Sequence, residues 1–161
     1  MNLQYLPIQP GDWPALYRLY RDVLFEVISD AIGWDEAFQQ YKFDHSFFPE
    51  ASQWVVPGPE QNPGVQEHLG ALVVNRYDQE MHVELLLIYP QYQHQGVGSQ
   101  VLTDLKAQAD SQHARITGST YLNNDVALRT CKKAGFMEIG RTETMVDLGW
   151  QPAELSVSVS H

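Results

Sequence analysis

The chain has one cysteine, Cys131, in 161 residues. That excludes an internal disulfide, so no oxidising compartment is implied. There is no CxxC pair. The six histidines, His45, His68, His82, His94, His113 and His161, show no HExxH or HxxxH spacing, so no dedicated metal site is expected. Basic residues are scarce, with 10 Lys and Arg against 20 Asp and Glu and a formal net charge of −10. This argues against a nucleic-acid binder that works by neutralising phosphates, and against a basic patch on an anionic membrane. Long apolar runs are missing too. The longest, Leu85 to Tyr89, is far below the roughly 20 residues that cross a bilayer. The N-terminal stretch has no basic start and does not read as a signal peptide. The expectation is a cytoplasmic protein.

What is present is a globular composition, 43% hydrophobic and 19% charged. The length matches one domain of about 150 residues, and such a chain can bury a core. The acid excess is uneven. Residues 1–80 hold 12 acids and 4 bases, and the remainder holds 8 and 6. A solvated acidic surface explains this, and so does a first half that attracts a cationic ligand.

Leu3 to Ile8 alternates as a short strand, closed by Pro10-Gly11. Asp12 reads as an N-cap with Pro14 in the first turn, and apolar residues from Leu16 to Ile28 recur at helical spacing, predicting a helix over 13–29. Gly33 breaks it. Residues 34–47 read as a second helix with Trp34, Phe38 and Tyr41 on one face, stopped by Pro49. A short strand at 53–56 precedes a Pro- and Gly-rich loop at 57–66. The runs 69–75 and 82–89 form a hairpin, and the second, apolar on both faces, belongs in the middle of a sheet. A third helix is expected at 99–112 and a strand at 115–121. A fourth helix at 125–134 is capped by Asn123-Asn124-Asp125 and ended by Gly135. A strand pair follows at 136–140 and 144–148. The alternating tail from Gln151 frays or adds an edge strand. The order β-α-α-β-β-β-α-β-α-β-β suggests one mixed sheet with helices on both faces.

Chemistry concentrates in the stretch from Glu84 to Ser99. It is a buried strand, a turn containing Gly96 and Gly98, then a helix start. Glycine lets the backbone approach a ligand closely, and free N–H groups of the first helical turn point at it with the helix dipole behind them. That is a phosphate site made from backbone, usable by an acidic protein. A simple tight turn would use the same glycines. A P-loop is ruled out because no lysine follows them. A Rossmann dinucleotide site would need a third glycine where Val101 stands, and an acid ending the next strand.

The pattern Gln93-His94-Gln95-Gly96-Val97-Gly98 resembles motif A of the GNAT acetyltransferase superfamily, (Gln/Arg)-x-x-Gly-x-(Gly/Ala). Asn124-x-x-Ala127 followed by Gly135-Phe136, and the two-helix start with Gly33-Trp34-Asp35-Glu36, are similar to further family features in the same order. The resemblance covers about residues 3–149. It implies a mixed α/β single domain over 1–161, with 150–161 as a C-terminal tail. Its central sheet would have six to seven mostly antiparallel strands, flanked by four helices. It further implies that amides of Gln93, His94, Gln95, Gly96, Val97, Gly98 and Ser99 hold the pyrophosphate of acetyl-CoA. The main chain at Leu87 and Ile88 would pair with the pantetheine arm, and Asn124 and Ala127 would flank it. No metal is implied. The partners are acetyl-CoA and an amine acceptor, with the protein a monomer or a homodimer.

Attack of an amine on a thioester needs a neutral amine, so a group must take a proton. Glu84 is the first candidate for that base, directly or through water, because an acid within so apolar a strand is unusual and burial would raise its pKa. Asp35, Glu36 and His82 are lesser candidates. A backbone N–H can stabilise the developing oxyanion. Many family members carry a tyrosine acting as general acid where this chain has Cys131. The thiol is a candidate donor, and a small buried helix residue is the plainer account. No Arg or Lys lies within residues 93–98, so phosphate binding must rest on amides and His94. The family often builds its acceptor pocket on the second helix, which makes Trp34 and Asp35 candidate substrate contacts. A non-catalytic acyl-CoA binder and a Rossmann-type oxidoreductase are the alternatives.

Overall fold

The structure is a computed structural model and describes residues 1–59 and 67–153. Four helices accompany a seven-stranded, mostly antiparallel sheet. In chain order these are β1 (Leu3–Pro7), α1 (Trp13–Ile32), α2 (Glu36–Ser46), β2 (Ser52–Pro57), β3 (Gly70–Arg76), β4 (Glu80–Ile88), α3 (Val97–Gln112), β5 (Arg115–Tyr121), α4 (Asp125–Lys133), β6 (Met137–Arg141) and β7 (Met145–Trp150). The strand order is β1-β2-β3-β4-β5-β7-β6, so the apolar run of β4 is fourth of seven, as its two-sided hydrophobicity required. The pair β4–β5 is parallel, while β1–β2, β2–β3, β5–β7 and β6–β7 are antiparallel. That pattern is incompatible with a doubly wound parallel sheet and removes the Rossmann alternative. Most of the loop expected at 57–66 and most of the tail expected from Gln151 lie outside the described residues.

Close contacts divide the chain into two units. The first comprises Met1–Val73 with Leu85–Gly98. Its core is aromatic: Phe43 lies 5.1 Å from Trp13, 5.2 Å from Tyr17 and 5.3 Å from Phe47, between ring centroids. Helix α1 buries Leu16, Leu19, Tyr20 and Ile28. It runs three residues beyond the expected Ser29, because the stop is Gly33 at φ +82°, whose N–H donates to Ile28 and Ser29 carbonyls. Asp12 sits at the cap position of α1 but its carboxylate turns elsewhere, accepting from Gln9 N–H at 3.2 Å and Trp54 Nε1–H at 3.3 Å.

The second helix corrects the sequence reading. It starts at Glu36 because Asp35 takes the N-cap, Oδ1 accepting from Phe38 N–H at 2.9 Å. That register turns Gln39, Phe43 and Phe47 inward at i, i+4, i+8, and leaves Phe38 and Tyr41 exposed. Gln39 is buried without an apolar side chain, and its Oε1 accepts from Tyr20 O–H at 2.7 Å.

The second unit comprises Val74–Glu84 and the chain from Ser99 onward. Along α3 the buried residues Val101, Leu102, Leu105 and Ala109 keep helical spacing. Helix α4 ends in a Schellman arrangement: Phe136 N–H donates to the Cys131 carbonyl and Gly135 N–H to that of Lys132, both at 3.0 Å, with Gly135 at φ +92°. Strand β5 enters its parallel partnership with Glu80 opposite Arg115 and His82 opposite Thr117.

Candidate functional site

In the first unit the end of β4 is pressed against β3. A Cβ on Gly70 would stand 2.1 Å from the Leu87 carbonyl oxygen, so only glycine allows this approach. Tyr89 N–H donates to the Leu69 carbonyl at 3.0 Å, and a 3-10 turn at Pro90–Tyr92 follows. Glutamine side chains then tie the loop to itself. Gln93 Nε2–H donates to the Ile88 carbonyl at 3.0 Å, and Gln95 Nε2–H to that of Gln91 at 3.1 Å. The Ile88 carbonyl, expected to face the pantetheine arm, thus already has an internal partner.

Two residues of this loop are left-handed, His94 at φ +64° and Gly96 at φ +86°, with Gln95 between them and α3 beginning at Val97. Alternating hands along a loop turn successive N–H groups toward one concave side, which is the geometry of an anion nest. The amides of Val97, Gly98, Ser99 and Gln100 open the first turn of α3 and have no intrahelical partner. Val97 is buried and anchors the turn, while His94, Gln95 and Gly96 are exposed. A Cβ on Gly96 would meet nothing within 4 Å. The loop therefore offers exposed backbone and the His94 imidazole but no Lys or Arg, so an anion held here would rest on main-chain N–H groups and His94. Gly98 lies within the first helical turn, so the two glycines do different work: Gly96 sets the hand of the loop, and Gly98 lies where bare backbone begins the helix.

In the second unit a polar strip crosses three strands. Asn75 Nδ2–H donates to Glu84 Oε1 at 2.9 Å, and His82 Nε2 stands 3.8 Å from the same oxygen. His82 Nδ1 lies 2.7 Å from Thr117 Oγ1, whose hydroxyl donates to Glu80 Oε2 at 3.0 Å. Arg115 Nε–H donates to Glu80 Oε1 at 2.8 Å. Burial alone raises the Glu80 pKa, but the hydrogen bonds from Thr117 and Arg115 outweigh it and hold the carboxyl below its ordinary value. Glu84 is 29% exposed at its side chain, so it is reachable from solvent. The alternation of β4 places positions 80, 82 and 84 on one face. Asn75, Thr117, Glu80 and Arg115 were not visible as site residues in the sequence. Only the parallel register of β4 and β5 brings residues 35 apart in the chain into contact.

On α4, Asn124 is the N-cap and its Oδ1 accepts from Ala127 N–H at 3.3 Å, so both residues have a structural role in starting the helix. Cys131 is half-buried, and burial pushes its thiol up to about 11. It is a protonated S–H at neutral pH. The remaining candidates sit at the α1–α2 junction of the first unit. Trp34 Nε1–H donates to Glu36, which also pairs with Arg21 Nε at 3.2 Å, and Asp35 caps α2. The Trp34 ring packs 5.3 Å from Phe25 and 6.1 Å from Tyr20.

Residues 13–136 match the family model described as the acetyltransferase (GNAT) family. Among solved structures, the PaiA N-acetyltransferase from Thermoplasma acidophilum in complex with coenzyme A superposes with a TM-score of 0.71. It is 11% identical, and the match covers 94% of this chain and 100% of that one. An acetyltransferase from Thermus thermophilus gives 0.66 at 21% identity, covering 94% and 98%. The ribosomal-protein-S18-alanine N-acetyltransferase from Escherichia coli gives 0.62 at 15% identity, covering 93% and 94%. No curated protein sequence matches significantly. No helix among the described residues is long and apolar enough to cross a membrane.

Proposed function

The chain belongs to the acetyltransferase (GNAT) family, and from that premise we propose that it transfers an acetyl group from acetyl-CoA to an amine by direct attack of the amine nitrogen. The observation that carries this reading is the loop between β4 and α3. Left-handed His94 and Gly96 lead into the first helical turn that opens at Val97, which offers an anion seat made of backbone in a chain of net charge −10. Acetyl-CoA, when bound, supplies an acyl carbon activated as a thioester.

The residues of this chain then have separable tasks. The loop from Gln93 holds the pyrophosphate, and the main chain at Leu87 and Ile88 runs beside the pantetheine arm. Glu84, open to solvent and steadied by Asn75, belongs to the group of side chains that receives the amine and the proton it must lose. The amine nitrogen forms the C–N bond as the C–S bond breaks, and the sulfur leaves to be protonated. Cys131, at about 11, is a weaker acid than an ordinary thiol. It therefore steadies the departing sulfur by donating a hydrogen bond, while solvent provides the proton.

The test is titration with CoA followed by thiol release from acetyl-CoA against a panel of primary amines. CoA binding with amine-dependent thiol release is expected. Tight CoA binding with no thiol release for any amine would favour a non-catalytic acyl-CoA binder, the reading that the cysteine at position 131 also suggests.

A further inference from the structure

Strand β6 ends the strand order of the sheet, and no strand among the described residues lies beyond it. An edge strand presents N–H and C=O groups that can pair with another chain. Its two large apolar residues are open, Met137 at 72% and Ile139 at 62% exposure. Both lie where Gly149 of β7 has no side chain. Met137 is the partner of Gly149, and a Cβ on Gly149 would stand 3.2 Å from Ile139 Cγ2, so Ile139 lies over bare backbone. The opposite face is charged. Glu138 stands across from Leu148 and Arg141 across from Val146, three residues apart on β6 against two on β7. The extra residue is a bulge. Without it Glu138 and Arg141 would point to opposite faces. With it they share one, and Arg141 Nε–H donates to Glu138 Oε2 at 3.1 Å.

Bulges and charges commonly shield an edge from foreign strands. Here they leave one register open, that of the strand with itself. Antiparallel pairing about a two-fold axis between Ile139 and Gly140 sets Glu138 of each copy against Arg141 of the other. Opposite charges directly across a strand pair stabilise it. The same register sets Ile139 across from Gly140, which has no side chain to collide, and gathers Met137 and Ile139 of both copies on the other face. An axis through Ile139 would instead set Glu138 against Gly140 and Arg141 against Met137. Strand β6 also lies in residues 81–161, where 8 acids face 6 bases, so the copies meet through the half with little net charge. We infer that β6 is a self-recognition edge, on which a second copy of this chain adds its own β6 with Glu138 facing Arg141, as an isologous two-fold dimer. Five residues make a short edge, so the dimer is a weak one, with a micromolar dissociation constant. The inference stands whether or not the acetyl-transfer reading does.

Two measurements test this on the full chain. The first is sedimentation equilibrium from micromolar to millimolar protein. The wild type is expected as a monomer–dimer equilibrium. Glu138→Arg sets cation against cation at both ends of the pairing, and Arg141→Glu sets anion against anion. Each variant alone is expected to weaken the dimer by about tenfold or more, the scale of a like-charge contact. An equal mixture of the two variants restores both ion pairs, so it is expected to form a dimer containing one of each. A wild type that stays monomeric at millimolar protein would overturn the inference and leave the edge to a partner of other sequence or to residues 154–161. A wild-type dimer that both variants keep unchanged, or a mixture that forms no mixed dimer, would equally overturn it. The second measurement needs no variant and decides should either one not fold. Amide hydrogen exchange of the wild type is expected to slow at residues 137–141 as protein concentration rises. Slowing at another surface with β6 unchanged would place the dimer contact elsewhere and sink the proposal.

Discussion

The loop from Tyr89 to Gly98 and the polar strip across β3, β4 and β5 are built from opposite materials. The loop works through main-chain amides, and its side chains serve mainly to hold the backbone shape, as Gln93 and Gln95 do toward the Ile88 and Gln91 carbonyls. The strip works through side chains, and the backbone beneath it is ordinary ladder. Backbone donors carry no net charge and cannot titrate, so they suit a constant anion in an acidic protein. Side chains can gain and lose protons, so they suit the step in which a proton must move. On the proposed function, the chain separates holding from chemistry by the kind of group used for each.

Mutations should expose that contrast. The largest effect is expected for Gly96→Glu, which places a non-glycine residue at φ +86° and a negative charge among the amides. CoA affinity should fall by more than 100-fold in titration calorimetry. Gly96→Ala has the same backbone cost, roughly 1–2 kcal/mol, without the charge, and open space for its Cβ. It should weaken CoA roughly tenfold. If both variants bind CoA like the wild type, the loop is not the anion seat.

In the strip the pattern should invert. Glu84→Gln should leave the CoA dissociation constant unchanged while kcat/KM for a cationic amine falls roughly tenfold, the scale of one charged hydrogen bond. A change in CoA affinity with unaltered kcat/KM would erase the distinction between the two regions.

Cys131 adds a pH test. Its folded pKa, about 11, lies above the ordinary thiol value of 9.0. The stability it contributes is complete below pH 9 and is lost as pH rises toward 11, because the unfolded thiol ionises first. Across that window the wild type should lose on the order of 2 kcal/mol more stability than Cys131→Ala, measured by urea unfolding at each pH. Parallel curves would mean the thiol is not held protonated by the fold. The smallest effect is Asn124→Ala, which removes the N-cap of α4 and should cost about 1 kcal/mol in the same assay.

Much of the fold was legible. Gly33, Asn124 and Gly135 punctuate helices where sequence reading puts them, because stop and cap signals act within a few residues. The turn ahead of α3 was legible for the same reason, since its glycines and the helix that follows are contiguous. The face of α2 was not. Sequence reading grouped Trp34 with Phe38 and Tyr41 on one helical face, but Trp34 precedes the Asp35 cap, and the buried face is that of Gln39 and Phe43 while Phe38 and Tyr41 are exposed. Asp12 was read as a cap from its position, yet its carboxylate binds Trp54 Nε1–H from 42 residues away.

By itself, the sequence determined the element order, the central place of β4 and the glycine turn into α3, because periodicity, glycine and caps are local properties. Only the tertiary structure decided that His82 meets Thr117, and that Thr117 meets Glu80. Those contacts depend on the register of two parallel strands joined by a helix, and a parallel register is set by packing across the sheet rather than by neighbouring residues. The chain of contacts from His82 through Thr117 to Glu80 follows from that register alone.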